Sequence, residues 1–75
     1  MAAITILSVD VKNRVVIFDQ CVAPIETMLD IDGEETKDPT MALYVVARVP
    51  DEFPVPGGQY INVTVDECPA QYTVH

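Results

Sequence analysis

The chain has 75 residues, 49% of them hydrophobic and 21% charged, with 12 acidic residues against 4 basic ones and a net charge of −8. That length holds one small domain, residues 1–75, and that apolar content excludes a disordered chain. Four scattered cations cannot displace counterions from phosphates, which excludes direct nucleic-acid binding and an anionic membrane surface, and no apolar run approaches the ~20 residues of a membrane helix.

In chain order, the first apolar runs are Ala3–Val11 and Val15–Val22, both rich in β-branched residues that favour strands. The polar break Lys12-Asn13-Arg14 joins them as a hairpin. Apolar residues fall on both alternating faces of this pair, so it is expected to be central and covered on both sides, or to place one face in an interface.

The segment Ala23–Gly33 reads in two ways. As a strand, Ile25, Leu29 and Ile31 share one face and Glu26, Asp30 and Asp32 the other. As a short helical turn near 24–31, Pro24 opens the first turn, Ile25, Met28 and Leu29 form one face, and Gly33 caps the end. The strand is preferred, because the segment is short for a helix and its alternation is clean.

Gly33–Pro39 is a polar turn segment. Met41–Val49 is the strongest strand in the chain and Pro50 stops it. The stretch 50–58 holds three prolines and two glycines and can be neither helix nor central strand. Gln59–Asp66 alternates with period two, with Ile61, Val63 and Val65 facing in and Asn62, Thr64 and Asp66 facing out. Residues 71–75 add a short edge strand. Five to six strands with short connections imply an all-β fold, a small antiparallel barrel or a two-layer sandwich.

The negative charge is concentrated. Residues 19–38 carry a net −6, against +1 for residues 1–18 and −3 for residues 39–75. The bland interpretation is a solvated loop that keeps a small domain in solution. The functional one is an acidic surface for a basic partner protein, formed by Glu26, Asp30, Asp32, Glu34, Glu35 and Asp38 together with Asp51 and Glu52. Phe53 and Val55 stand among prolines; Phe53 either folds back over the end of the barrel or is presented to a partner as an aromatic anchor.

Other chemistries find little support. Asp30-Ile31-Asp32-Gly33 places carboxylates beside a glycine, as calcium loops do, but the third ligand position is missing and no helices flank it. Cys21 and Cys68 have no cysteine or histidine at metal-ligand spacing, and the sole histidine is the terminal His75. Cys21 is expected to be a small core residue. Ser8 is the only serine and has no neighbouring histidine, so no nucleophilic pair is legible. No metal, cofactor or enzymatic activity is expected. Pro56-Gly57-Gly58-Gln59-Tyr60-Ile61-Asn62-Val63 resembles the glycine-glutamine-tyrosine strand opening of flavin reductase domains, but the rest of such a domain cannot fit in this chain.

With no positively charged leader ahead of an apolar stretch, the expected compartment is the cytoplasm, with reduced thiols. The high apolar content of so small a domain points to self-association, as a homodimer through one face of the first hairpin or by edge pairing. The expected function is a small, acidic, non-enzymatic interaction module. In size and charge it resembles phage or mobile-element inhibitors whose carboxylates occupy a nucleic-acid-binding groove of another protein. Reversing Glu34, Glu35 and Asp38 to lysine should then abolish binding without unfolding the domain. The alternatives are a structural subunit of a larger, virion-associated assembly using its apolar surface, and a small-ligand or metal-binding β-barrel.

Overall fold

A computed structural model describes residues 2–53 and 58–74. The strands are β1 (Ala2–Asp10), β2 (Val15–Phe18), β3 (Val22–Leu29), β4 (Tyr44–Arg48), β5 (Tyr60–Thr64) and β6 (Ala70–Val74), with one 3₁₀ turn at Val65–Glu67. All pairings are antiparallel, and the strands form one six-stranded sheet in the order β5-β4-β3-β2-β1-β6. The sheet curls into a half-barrel around its core. Of the two all-β architectures expected, this is the barrel-like one, with one sheet bending over its own apolar face.

Each residue pair that meets across strands shares a face, so the core can be read off the register. Ile6 opposes Phe18, Val16 opposes Ala23, Ile25 opposes Ala47, Met28 opposes Val45, and Val45 and Ala47 oppose Val63 and Ile61. All of these are buried, with Ile4 and Val49 completing the cluster. Among the described residues no polar or charged residue is buried.

Two irregularities explain patterns that were ambiguous in the sequence. In β1, Ile6 pairs with Phe18 but Ser8 pairs with Ile17, leaving Leu7 as an extra residue. In β3, Ile25 pairs with Ala47 but Thr27 pairs with Val46, leaving Glu26 as the extra residue. Each is a β-bulge, and a bulge inverts the in–out alternation beyond it. The core-facing series in β1 runs Ile4, Ile6 and then Val9; in β3 it runs Ala23, Ile25 and then Met28. A strand with one bulge therefore shows a spacing of three between core residues, which is also the helical spacing.

The possible helical turn near 24–31 is thereby corrected. The segment is extended to Leu29, and the Ile25–Met28 spacing belongs to the bulge at Glu26. The expected faces change too. Ile25 and Met28 are buried, Leu29 lies on the other face opposite Tyr44, and Ile31 has left the strand and is 75% exposed. The apolar residues on both faces of the first hairpin have the same origin in part, since Val9 packs on the core despite its odd number.

Both bulges fall where a long strand changes partner. β1 pairs with β6 through Ala2–Ile6 and with β2 through Ile6–Asp10. β3 pairs with β2 through Val22–Pro24 and with β4 through Ile25–Leu29. Bulges bend a strand and increase its twist, so these two points are where the sheet curls.

The other expected elements hold with shifted ends. The strand expected from Met41 starts at Tyr44, because the Met41 N–H bonds the Asp38 carbonyl at 3.0 Å in a turn. The period-two strand closes at Thr64 and gives way to the 3₁₀ turn, with Ile61 and Val63 buried and Val65 packed on the core. The tail forms β6 at one edge of the sheet. The first hairpin closes as expected, its loop held by Asp10, whose carboxylate accepts from the Asn13 N–H at 3.1 Å and from Nδ2 at 2.8 Å. Among the described residues no helix is long and apolar enough to cross a membrane.

Candidate functional site: the β3–β4 loop

The loop between β3 and β4 is built by its own aspartates. The Gly33 N–H bonds the Asp30 carbonyl at 3.0 Å, and the Asp30 N–H bonds the Glu34 carbonyl at 2.8 Å. The residues between Asp30 and Glu34 thus form a three-residue hairpin loop, for which Asp at the first turn position and Gly at the fourth are the favoured residues. Gly33 supplies the positive φ of 79° that this loop requires. The Asp30 carboxylate accepts from the Asp32 N–H at 2.9 Å and the Glu34 N–H at 3.0 Å. The sequence that resembled a calcium loop is therefore a self-capped turn. Among the described residues no group of three acidic, cysteine or histidine side chains could hold a metal ion.

Asp38 does similar work one turn later. Its carboxylate accepts from the Thr40 N–H at 2.9 Å and the Thr40 hydroxyl at 2.8 Å. These bonds to Thr40 favour the charged form and hold the Asp38 carboxyl below its ordinary pKa. Asp30 and Asp38, both among the expected partner residues, thus spend their carboxylates on loop structure. Asp32, Glu34 and Glu35 are exposed, and the only ion pair among the described residues, Arg48 with Asp51 at 3.7 Å, lies elsewhere.

The nine expected partner residues do not form one patch. Glu26 is exposed at the bulge in mid-strand. Asp30, Asp32, Glu34, Glu35 and Asp38 sit in the loop beyond Leu29, at one end of β3 and β4. Asp51, Glu52 and Phe53 follow the opposite end of β4. From Leu43 to Pro50, at ~3.3 Å per residue, the two ends are about 23 Å apart. Asp51 is partly neutralised by Arg48. Phe53 is half-buried and packed on the core, which is the covering role. Its neighbours at 54–57, Val55 included, lie outside the described residues.

An open groove of about 410 Å³ lies beside the acidic loop, lined by Ile31, residues 39–43, Val65 and Asp66. Its walls are tied together by backbone bonds of 2.9 Å from Leu43 N–H to the Leu29 carbonyl and from Val65 N–H to the Leu43 carbonyl. Ile31 and Met41 are 75% and 56% exposed there. Sequence patterns assigned Ile31 and Met41 to strand faces and so missed the groove. The signal that could have found it is the turn chemistry of Asp38-Pro39-Thr40, which takes Met41 out of the strand.

Both cysteines carry free thiols, half-buried and packed on the core, as expected for Cys21. Burial pushes the Cys21 thiol up, and the negative charges of Asp19 and Glu52 add to it; burial does the same at Cys68. Thiols held protonated are poor nucleophiles. Comparison of the chain with protein-family models, curated proteins and solved structures returns no match.

Proposed function

We propose that the chain is a small acidic interaction module, acting by binding and not by catalysis, that engages a basic surface of a partner protein. The observation that carries this reading is the set Asp32, Glu34 and Glu35. These are three exposed carboxylates without an ion pair among the described residues, on a loop that Asp30 and Asp38 hold in shape. A fixed cluster of negative charge attracts a cationic surface and speeds its association. In the concrete form of the proposal the carboxylates stand where phosphates would sit in a nucleic-acid-binding groove. Size and charge liken that form to the small inhibitors of phages and mobile elements.

The test is affinity capture from a lysate of the source organism with stepwise salt elution, using the wild type and a variant carrying Asp32→Lys, Glu34→Lys and Glu35→Lys. Asp38 is left alone because its carboxylate holds Thr40. A basic nucleic-acid-handling protein held by the wild type, released at moderate salt and lost in the variant is the expected result. Capture of the same proteins by both forms overturns the proposal.

A second reading, a subunit of a larger assembly, is favoured by the outer face of the β1–β2–β3 half of the sheet. There Leu7 and Val22 are 48% and 55% exposed, beside the half-buried Ile17. Self-association that persists at high salt and is lost on Val22→Lys would support it.

A further inference from the structure

The groove between the β3–β4 loop and the 3₁₀ turn has a chemistry of its own. We infer that it is a docking cleft for one apolar side chain of the partner, carried on a basic segment. This inference rests on the reading of the acidic loop as a partner-binding surface, and it adds what the partner must present besides charge.

Three observations lead there. The first is size and openness. A volume of about 410 Å³ lies within the ~300–1,000 Å³ of ligand-sized clefts, and Ile31 and Met41, both exposed, are among the residues that line it. The second is fixed shape. The Met41 N–H bonds the Asp38 carbonyl at 3.0 Å, and Leu43 is bonded on one side to Leu29 and on the other to Val65. A groove already held by main-chain bonds loses little freedom when it is filled.

The third observation is charge, and it chooses the occupant. Asp66 lines the groove, and Asp32 follows Ile31 directly; both are exposed acids. An occupant that covers the exposed Ile31 and Met41 and meets these carboxylates has a large apolar side chain with cations next to it in sequence. A second copy of this chain does not fit that description, because it would bring its own net charge of −8 to the same carboxylates.

The experiment is an amide-shift titration of isotope-labelled protein with two synthetic pentapeptides, capped at both ends. One has the sequence lysine-lysine-leucine-lysine-lysine and the other has glycine in place of the leucine. The leucine peptide is expected to bind roughly 10-fold more tightly, the effect of one apolar side chain entering a pocket, with shifts centred on Ile31, Met41 and Val65. Met41→Lys, at an exposed turn position, should erase the preference for leucine; Ile31→Lys, at a second exposed position, should do the same. The triple variant Asp32→Asn, Glu34→Gln, Glu35→Gln should weaken both peptides together and leave their ratio unchanged.

Equal affinity of the two peptides for the wild type overturns the cleft. If the triple variant still weakens both equally, the charge reading stands without the cleft. If neither peptide binds, or the triple variant changes nothing, both fall. Concentration-dependent association that Met41→Lys abolishes would assign the groove to a second copy and would also overturn the inference.

Discussion

Removing one residue from a strand ordinarily moves every side chain beyond it to the wrong face. The two bulges make an exception that can be tested. Without Glu26, β3 reads Ile25 in, Thr27 out, Met28 in, a regular alternation that leaves the whole buried set in place. Glu26 is exposed, so its loss uncovers no core surface. What is lost is local twist, and deletion of Glu26 is expected to destabilise by no more than about 2 kcal/mol, the scale of an ordinary surface or strain change.

Deletion of Val46 is the control. Val45 and Ala47 in β4 and Val49 just beyond it are completely buried, and β4 has no bulge. Taking out Val46 with Val45 held in place turns Ala47 and Val49 outward and Arg48 inward. Exposing Val49 alone costs about 1.5–3 kcal/mol, and an unpaired cation driven into the core costs several more. A domain of this size has roughly 4–11 kcal/mol in total, so this variant is expected to be unfolded. Urea denaturation followed by far-ultraviolet circular dichroism measures both. Equal loss of stability in the two deletions, or an unfolded chain lacking Glu26, would refute the bulge argument. Deletion of Leu7 repeats the test in β1.

Three further expectations follow from single residues. Gly33→Ala meets no atom within 4 Å of the added Cβ, so the φ of 79° alone sets its effect. It should lose about 1 kcal/mol, a fall of roughly 4–8 °C in Tm by differential scanning calorimetry. Met28→Ala empties a fully buried site between β3 and β4 and should cost about 2–5 kcal/mol in chemical denaturation, a large share of the total. The Asp10 carboxyl is held below its ordinary pKa chiefly by the side-chain bond from Asn13, then by the Asn13 main-chain N–H. Its stabilisation is therefore present above the unfolded value near 4 and lost as pH falls through the lower folded value. Thermal melts should show the difference between wild type and Asp10→Asn constant at neutral pH and shrinking below about pH 4; a difference independent of pH would refute the assignment.

Where sequence reasoning succeeded, the cause was local. β-branched runs broken by Lys12-Asn13-Arg14, by Gly33 and by Pro50 are strands and turns because side-chain crowding and backbone torsions act over a few residues. Period two in β5 identified Ile61 and Val63 as core. Where it was ambiguous, at Ile25–Met28, the spacing of three arises from a bulge in one strand just as it would from a helical turn. Only the pairing with β4, which opposes Thr27 to Val46, tells the two apart.

The candidate site divides along the same line. The order of residues alone placed the negative charge in residues 19–38, because charge does not depend on the fold. Which carboxylates are available does depend on it. Asp30 and Asp38 are engaged in hydrogen bonds within the loop, Asp38 while still exposed, whereas Asp32, Glu34 and Glu35 are exposed with no ion pair among the described residues. The separation of Asp51 and Glu52 from that loop follows from the length of β4 between them. The groove joins Ile31 to Asp66 across 35 positions of sequence, and the bond from Val65 to Leu43 brings them together. Strand preference, turn chemistry and net charge are properties of neighbouring residues and can be read along the chain. Partner strands, bulge positions and groove walls are properties of residues far apart in sequence, and they exist only once the sheet has curled.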